Sequence, residues 1–231
     1  MTTRRPDRRA FSKAALAALA TGAPTGARAE TPVDLQLVMA VDASGSVSQY
    51  RFELQKRGYV NAFRNPRLAA AVKSGLNQAI AVCMYQWTGP RLQREVLPWM
   101  LVKDDESANA VAAAIERVPR LLFGGGTSIS GAIDVGAMLF ARGEFRGARK
   151  VIDVSGDGAN TSGRPVTRAR DDAVAAGVTI NGLPILAVEP DLDDHYQDFV
   201  IGGEGAFMIA VKSFEDFGEA VLKKLIAEIA D

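Results

Sequence analysis

The stretch VDASGSVS, residues 41–48, presents one carboxylate and three hydroxyls alternating with small residues. It closes the apolar run LQLVMAV. Alternate side chains on an extended turn point the same way, so Asp42, Ser44 and Ser46 can line one side of a site. Such a turn can hold a cation, or Ser46 or Ser48 can cap the helix that follows. Gly45 is expected to let the backbone turn sharply. Two further stretches have the same character. LLFGGGTSIS places Thr127 after three glycines and ahead of a helical pattern, and VIDVSGDG places Asp157 just past an apolar run. Each has a local alternative, because Thr127 or Ser128 can cap a helix and Asp157 can brace a turn. Hard divalent cations prefer clustered oxygen donors, and hydroxyl, carboxylate and water together suit magnesium or manganese.

Stepping from these loops to their supports, short apolar runs alternate with helical periodicity from Asp34 onward. The spacing predicts strands over 35–41, 79–87, 94–101, 150–154, 179–186 and 206–209. It predicts helices over 49–63, 107–118, 130–141, 165–176, 192–200 and 214–230. Near-continuous apolar strands imply burial on both faces of a parallel sheet. The alternation implies an α/β fold with a doubly wound, mostly parallel six-stranded sheet and helices on both faces. The third run follows the second after a short turn (Thr88-Gly89-Pro90) with no room for a crossover helix, so that pair is expected to be an antiparallel hairpin at one sheet edge. Ligands in such sheets bind beyond the carboxyl ends of the strands, and with the Asp42 and Asp157 loops placed there the three oxygen-bearing loops could meet on one face.

Asp42-x-Ser44-x-Ser46, Thr127 within GGGTS and Asp157 within SGDG, in that order, resemble the metal-ion-dependent adhesion site of von Willebrand factor type A domains. The resemblance covers the body of the chain, about residues 33–230, and the wider sequence is similar to an exported bacterial subgroup of these domains. It implies a Rossmann-like fold and a divalent cation, magnesium foremost, with manganese or calcium as alternatives. Ser44, Ser46 and Thr127 would be direct ligands, with Asp42 and Asp157 acting directly or through water. It implies a protein partner whose Asp or Glu carboxylate completes the coordination, and no catalytic role. A metal-dependent hydrolase using the same loops is the alternative function.

Other chemistry is poorly supported. Gly126 and Gly131 have the P-loop glycine spacing, but Ala132 stands where the lysine belongs. Gly124 and Gly126 begin a G-x-G-x-x-G pattern that Ile129 breaks. His195 is the only histidine, and Ser155 lies outside any nucleophile elbow. No general base is evident in the flanking loops besides the two aspartates. His195 sits in the acidic stretch EPDLDDHYQDF, where Asp191 or Asp193 is expected to cap a helix. Cys83, the only cysteine, reads as a buried thiol, and Trp87 and Trp99 as packing residues. Asn160 and Thr161 are expected to line the rim of the Asp157 loop.

The charges balance at 27 basic and 27 acidic residues, but unevenly. Residues 1–29 carry six basic side chains and one acidic, which leaves 21 against 26 in the rest, a net of −5. That body gives no support to nucleic-acid binding. Residues 1–29 read as a cleavable export signal with a small-x-small site at Ala27-Arg28-Ala29, and Arg8-Arg9 resembles a twin-arginine motif. The expectation is a periplasmic or secreted domain over 30–231 with no membrane span in the mature chain.

Overall fold

The computed structural model describes residues 1–2, 30–142 and 144–230, so the expected export signal lies almost wholly outside the described residues. Strands β1 (Thr31–Asp42), β2 (Ile80–Trp87), β3 (Gln93–Val102), β4 (Phe145–Gly156) and β5 (Thr179–Pro184) form one sheet in the order β3-β2-β1-β4-β5. β1 runs parallel to β2 and β4, and β4 runs parallel to β5. β3 is antiparallel to β2 at the sheet edge, as the short turn requires. The winding reverses at β1, so the crevice between the carboxyl ends of β1 and β4 is where a ligand belongs.

The alternation of β1 divides the core. Leu35, Leu37, Met39 and Val41 face α1 (Gln49–Arg64), α2 (Pro66–Lys73), α3 (Asp105–Glu116) and α7 (Phe217–Ala230). Val38 and Ala40 face α4 (Ile129–Leu139), α5 (Val166–Ala175) and the segment 192–200. That segment is one α-turn, α6 (Leu192–His195), continued as a π-helix over Tyr196–Val200. Cys83 and Trp87 are buried in the second cluster, and Trp99 donates its indole N–H to Leu139 O at 3.1 Å. All three therefore pack as expected. Among the described residues no helix is long and apolar enough to cross a membrane.

Two elements differ from expectation. The sixth strand does not form. Residues 206–211 do run alongside β5, with Gly182 N donating to Phe207 O (3.1 Å) and Leu186 N to Val211 O (2.8 Å). Pro184 faces this segment midway and has no N–H to donate, so the ladder breaks into isolated bridges at Met208 and Val211. The second difference is α2, which the sequence pattern did not reveal. Asn65 accepts from Arg67 N (3.0 Å) and Pro66 occupies the first turn, so Asn-Pro starts a helix there.

Candidate metal centre

β1 ends at Asp42, on the face of the sheet that meets α4 and α5, and its side chain is wholly buried. Asp42 Oδ1 accepts the Ser44 amide at 2.7 Å, which folds the chain back over the strand end. β4 ends at Gly156, and Asp157 follows with its amide 3.4 Å from Asp42 Oδ2. Ser46 Oγ donates to Asp157 Oδ1 at 2.5 Å and lies 3.2 Å from Ser44 Oγ. Asp42, Ser44, Ser46 and Asp157 thus form one connected cluster across two loops that are 111 residues apart in the chain.

Thr127, on the third loop, lies against the loop that follows Asp157. Its carbonyl accepts from Thr161 N (2.9 Å) and Ser162 N (3.1 Å), which ties its loop to the one after Asp157. A methyl group on Gly158 would lie 3.7 Å from Thr127 Oγ1. Gly125 and Gly126 hold φ of 106° and 83°, which side-chain-bearing residues rarely adopt, so the glycine run is required for this approach. Gly156 is required for a different reason. A Cβ there would stand 3.1 Å from Asp42 Oδ2, from a Trp87 ring carbon and from Tyr196 Oη.

The local alternatives resolve by division of labour between neighbours. Ser48, not Ser46, caps α1 by accepting from Arg51 N at 3.2 Å. Ser128, not Thr127, caps α4 by accepting from Gly131 N at 3.1 Å. Asn160 and Thr161 brace the rim, with Asn160 Oδ1 accepting from Ser130 N (2.9 Å) and Thr161 Oγ1 from Thr127 N (3.3 Å). Gly45 does not play its expected part. Its φ is not positive and an added Cβ meets nothing within 4 Å, so the Ser44 amide bond to Asp42 makes the turn. Gly45→Ala is therefore expected to change urea-denaturation stability by less than about 1 kcal/mol. Asp191 precedes α6 without a side-chain cap, so that expectation also fails.

Electrostatics mark the centre. The Asp42 carboxyl is pushed up to about 7, first by burial and then by the Asp157 carboxylate, against the Ser44 amide. Asp157 is also raised by burial, while the Ser46 hydroxyl and the Arg51 guanidinium pull it back. Asp157 Oδ2 is buried without a hydrogen-bond partner, and Arg51 Nη1 stands 3.5 Å from it. Two adjoining carboxylates under-compensated by protein, with the Ser44 and Ser46 hydroxyls beside them, fit a divalent cation. Among the described residues no three His, Cys, Asp or Glu side chains gather as a metal cluster, so hydroxyls are what distinguish this set.

Sequence reasoning missed Glu189. It stands on the loop after β5, where Oε2 accepts the Ala159 amide at 3.0 Å. Oε1 lies 3.4 Å from where a Gly158 Cβ would be. His195 is beside it, with Nε2 accepting from Asn160 N at 3.3 Å. The signal available was position, since Glu189 closely follows the end of a parallel strand next to the reversal point.

A family model described as protein of unknown function (DUF1194) matches residues 32–231. No curated protein matches the sequence. Among solved structures, proximal thread matrix protein 1 of the mussel byssus aligns with a TM-score of 0.61 at 17% identity, covering 87% of this chain and 49% of that one. The chain thus spans about half that protein's length (49%). A second form of the mussel protein, with a zinc-occupied MIDAS motif, aligns at TM-score 0.59 and 16% identity over 87% of this chain and 49% of that one. A von Willebrand factor type A protein from Catenulispora acidiphila gives 0.59 at 16% identity, covering 85% and 43%. The vWF domain of a type V pili tip protein from Porphyromonas gingivalis gives 0.56 at 10% identity, covering 85% and 96%. The fold is that of von Willebrand factor type A domains, and the chain belongs to the family described as protein of unknown function (DUF1194).

Proposed function

We propose that this chain is an exported, metal-dependent protein-binding module of the adhesion type. Asp42, Ser44, Ser46, Thr127 and Asp157 would hold a divalent cation, magnesium foremost, and a partner's Asp or Glu carboxylate would complete its shell. One observation carries the reading. Two buried carboxylates and the serine hydroxyls meet where the sheet reverses, and one carboxylate oxygen, Asp157 Oδ2, has no hydrogen-bond partner. The mussel protein with a zinc-occupied MIDAS motif supports it by analogy of fold. The ion when bound would supply a Lewis-acidic centre, and with mostly neutral hydroxyls around it an external carboxylate would be a stronger donor than the water it displaces. The chain's own residues orient the donors. Ser44 N fixes Asp42, Ser46 fixes Asp157, and Ser162 and Thr161 fix the Thr127 backbone. The export signal over residues 1–29, by the twin-arginine route, and the periplasmic or secreted location belong to the same proposal.

The test is calorimetric titration with magnesium. Ser46→Ala is expected to weaken magnesium affinity at least about tenfold, the equivalent of one hydrogen bond to a charged group, about 1.5 kcal/mol. Unchanged affinity in Ser46→Ala and in Thr127→Ala would remove the site.

Hydrolysis is the second reading, and the position of Glu189 favours it over what the sequence alone allowed. A base must reach a water at the centre, yet Glu189 is engaged by the Ala159 amide. Turnover of simple esters or phosphoesters with magnesium that Glu189→Gln abolishes would establish this reading in place of the binding one.

A further inference from the structure

A buried triad, separate from the strand-end centre, joins α7 to the sheet. Lys224 on α7, Asp153 on β4 and Glu228 one turn further along α7 are 0%, 0% and 1% exposed. Lys224 Nζ stands 2.6 Å from Asp153 Oδ1 and donates to Glu228 Oε1. Glu228 Oε1 also accepts from Asn181 Nδ2 at 3.0 Å, which fixes that carboxyl. The Phe207 ring centroid lies 5.1 Å from Nζ. Among the described residues neither Asp153 oxygen has a hydrogen-bond partner, so the Nζ contact is close without hydrogen-bond direction. Oδ1 is one carbon–oxygen bond from Cγ, so Nζ lies within about 4 Å of that carbon.

Burial opposes the Lys224 ammonium, and the two acids hold it charged. Transfer of one proton from Nζ to Asp153 cancels both charges, which costs least where water is excluded. It leaves a free amine facing a carboxylic acid, the two partners of amide formation. Glu228 is pushed up to about 7 by burial and by Asp153, so it carries a proton below that pH. It touches the amine nitrogen and is placed to move protons on and off it. A cavity of about 250 Å³, lined in part by Val151, Asn181 and Glu228, adjoins the triad. It has room for a released water. Partners fixed in this way react as if at roughly 10⁵ M or more.

We propose that Lys224 and Asp153 condense to an isopeptide bond that ties α7 to β4, with Glu228 carrying the proton. Nζ attacks Asp153 Cγ, and a C–N bond forms. Glu228 takes a proton from the nitrogen and gives one to the departing oxygen. The C–O bond breaks, one water leaves, and Glu228 ends as it began. No oxidant or other co-reactant is required. The ion pair is the reactant state, so a Lys224 variant removes pair and bond alike. The bond supplies what a disulfide would, because Cys83 is the only cysteine and the chain has no internal disulfide. It closes the long loop from residue 153 to residue 224 and so constrains the unfolded chain. The inference is independent of the cation reading above.

The test is the mass of the purified full chain, measured intact and after proteolysis. The expected result is a mass lower by one water, with a branched peptide that joins Asp153 to Lys224. Lys224→Arg should keep the full mass, since a guanidinium keeps the charge and does not condense. Glu228→Gln should slow the loss of water at least about a hundredfold, timed after cell-free synthesis. Full mass in the folded wild type overturns the proposal. So does a loss of water that survives in Lys224→Arg, which a succinimide at Asp157-Gly158 would give. A branched peptide joining Lys224 to Glu228 in place of Asp153, or an unchanged rate in Glu228→Gln, overturns it as well.

Discussion

Lys224→Met is expected to destabilise the fold by about 3–5 kcal/mol, the range for breaking a buried ion pair by removing one partner. Lys224 lies on the inner face of α7 and is wholly buried. Its Nζ sits 2.6 Å from Asp153 Oδ1, bonds Glu228 Oε1, and lies 5.1 Å from the Phe207 ring centroid. Asp153 has no hydrogen bond to either oxygen, so the ammonium is its compensation. Removing it strands a charge in the core between β4 and α7. At about 2–4 °C per kcal/mol for a chain of this size, the melting temperature should fall by roughly 6–20 °C. Urea denaturation of Lys224→Met, Asp153→Asn and the double variant checks this. The double variant should recover much of the loss, because the pair acts as a unit. Simple additivity of the two single losses would mean that the ion pair does not hold α7.

The same cluster sets a pH dependence. One lysine serves two acids, and the Glu228 carboxyl is pushed up to about 7 from 4.5, first by burial and then by Asp153. Between those values the folded chain keeps a proton that the unfolded chain releases. The contribution is therefore fully present below pH 4.5 and is lost as pH rises through 7. Glu228→Gln is expected to flatten this slope and to stabilise the chain by up to about 3 kcal/mol at pH 8 relative to pH 4, at roughly 1.4 kcal/mol per pKa unit. Denaturation midpoints of both proteins at the two pH values measure it.

This cluster also shows where sequence reading stops. Spacing predicts one helix face from Phe214, Phe217, Val221, Leu222, Leu225, Ile226 and Ile229; the structure buries Phe214, Phe217, Val221, Leu225 and Ile229 and leaves Leu222 and Ile226 half-buried. The same face contains Lys224 and Glu228, but their partner Asp153 is on β4, and only the sheet register brings it there. The three oxygen-bearing loops were legible for a contrary reason. Each lies just beyond an apolar run or a glycine run, and a doubly wound sheet puts strand ends together. Which hydroxyl of each loop caps a helix was not legible from the residues alone, and the choice of Ser46 and Thr127 for the centre came from the family resemblance. Ser46 and Ser48, or Thr127 and Ser128, are alike in chemistry and one or two residues apart, and only the helix start decides between them. Pro184 was visible, but its effect depended on which way its missing N–H faced.

Asp42→Asn is expected to move two measurements in opposite directions, raising stability without a cation and abolishing the stabilisation by magnesium. In chelator at pH 8, Asp42 is an ionised carboxylate without access to solvent, beside the Asp157 carboxylate. Its displacement from 3.8 to about 7 means that the folded state pays up to about 4 kcal/mol to ionise it, at roughly 1.4 kcal/mol per pKa unit. Asparagine keeps the acceptor for the Ser44 amide and removes the charge, so the variant should be the more stable protein without a cation. With magnesium at a hundred times its dissociation constant the wild type gains about 2.7 kcal/mol by mass action. The variant should gain almost none, because its centre has lost half its formal charge. The two stability curves are therefore expected to approach one another as magnesium rises. The physical reason is that the strand ends hold their carboxylates at a cost that only a bound cation repays. A purely structural Asp42 gives the opposite pattern. In that case Asp42→Asn is destabilised in chelator, and magnesium moves neither protein.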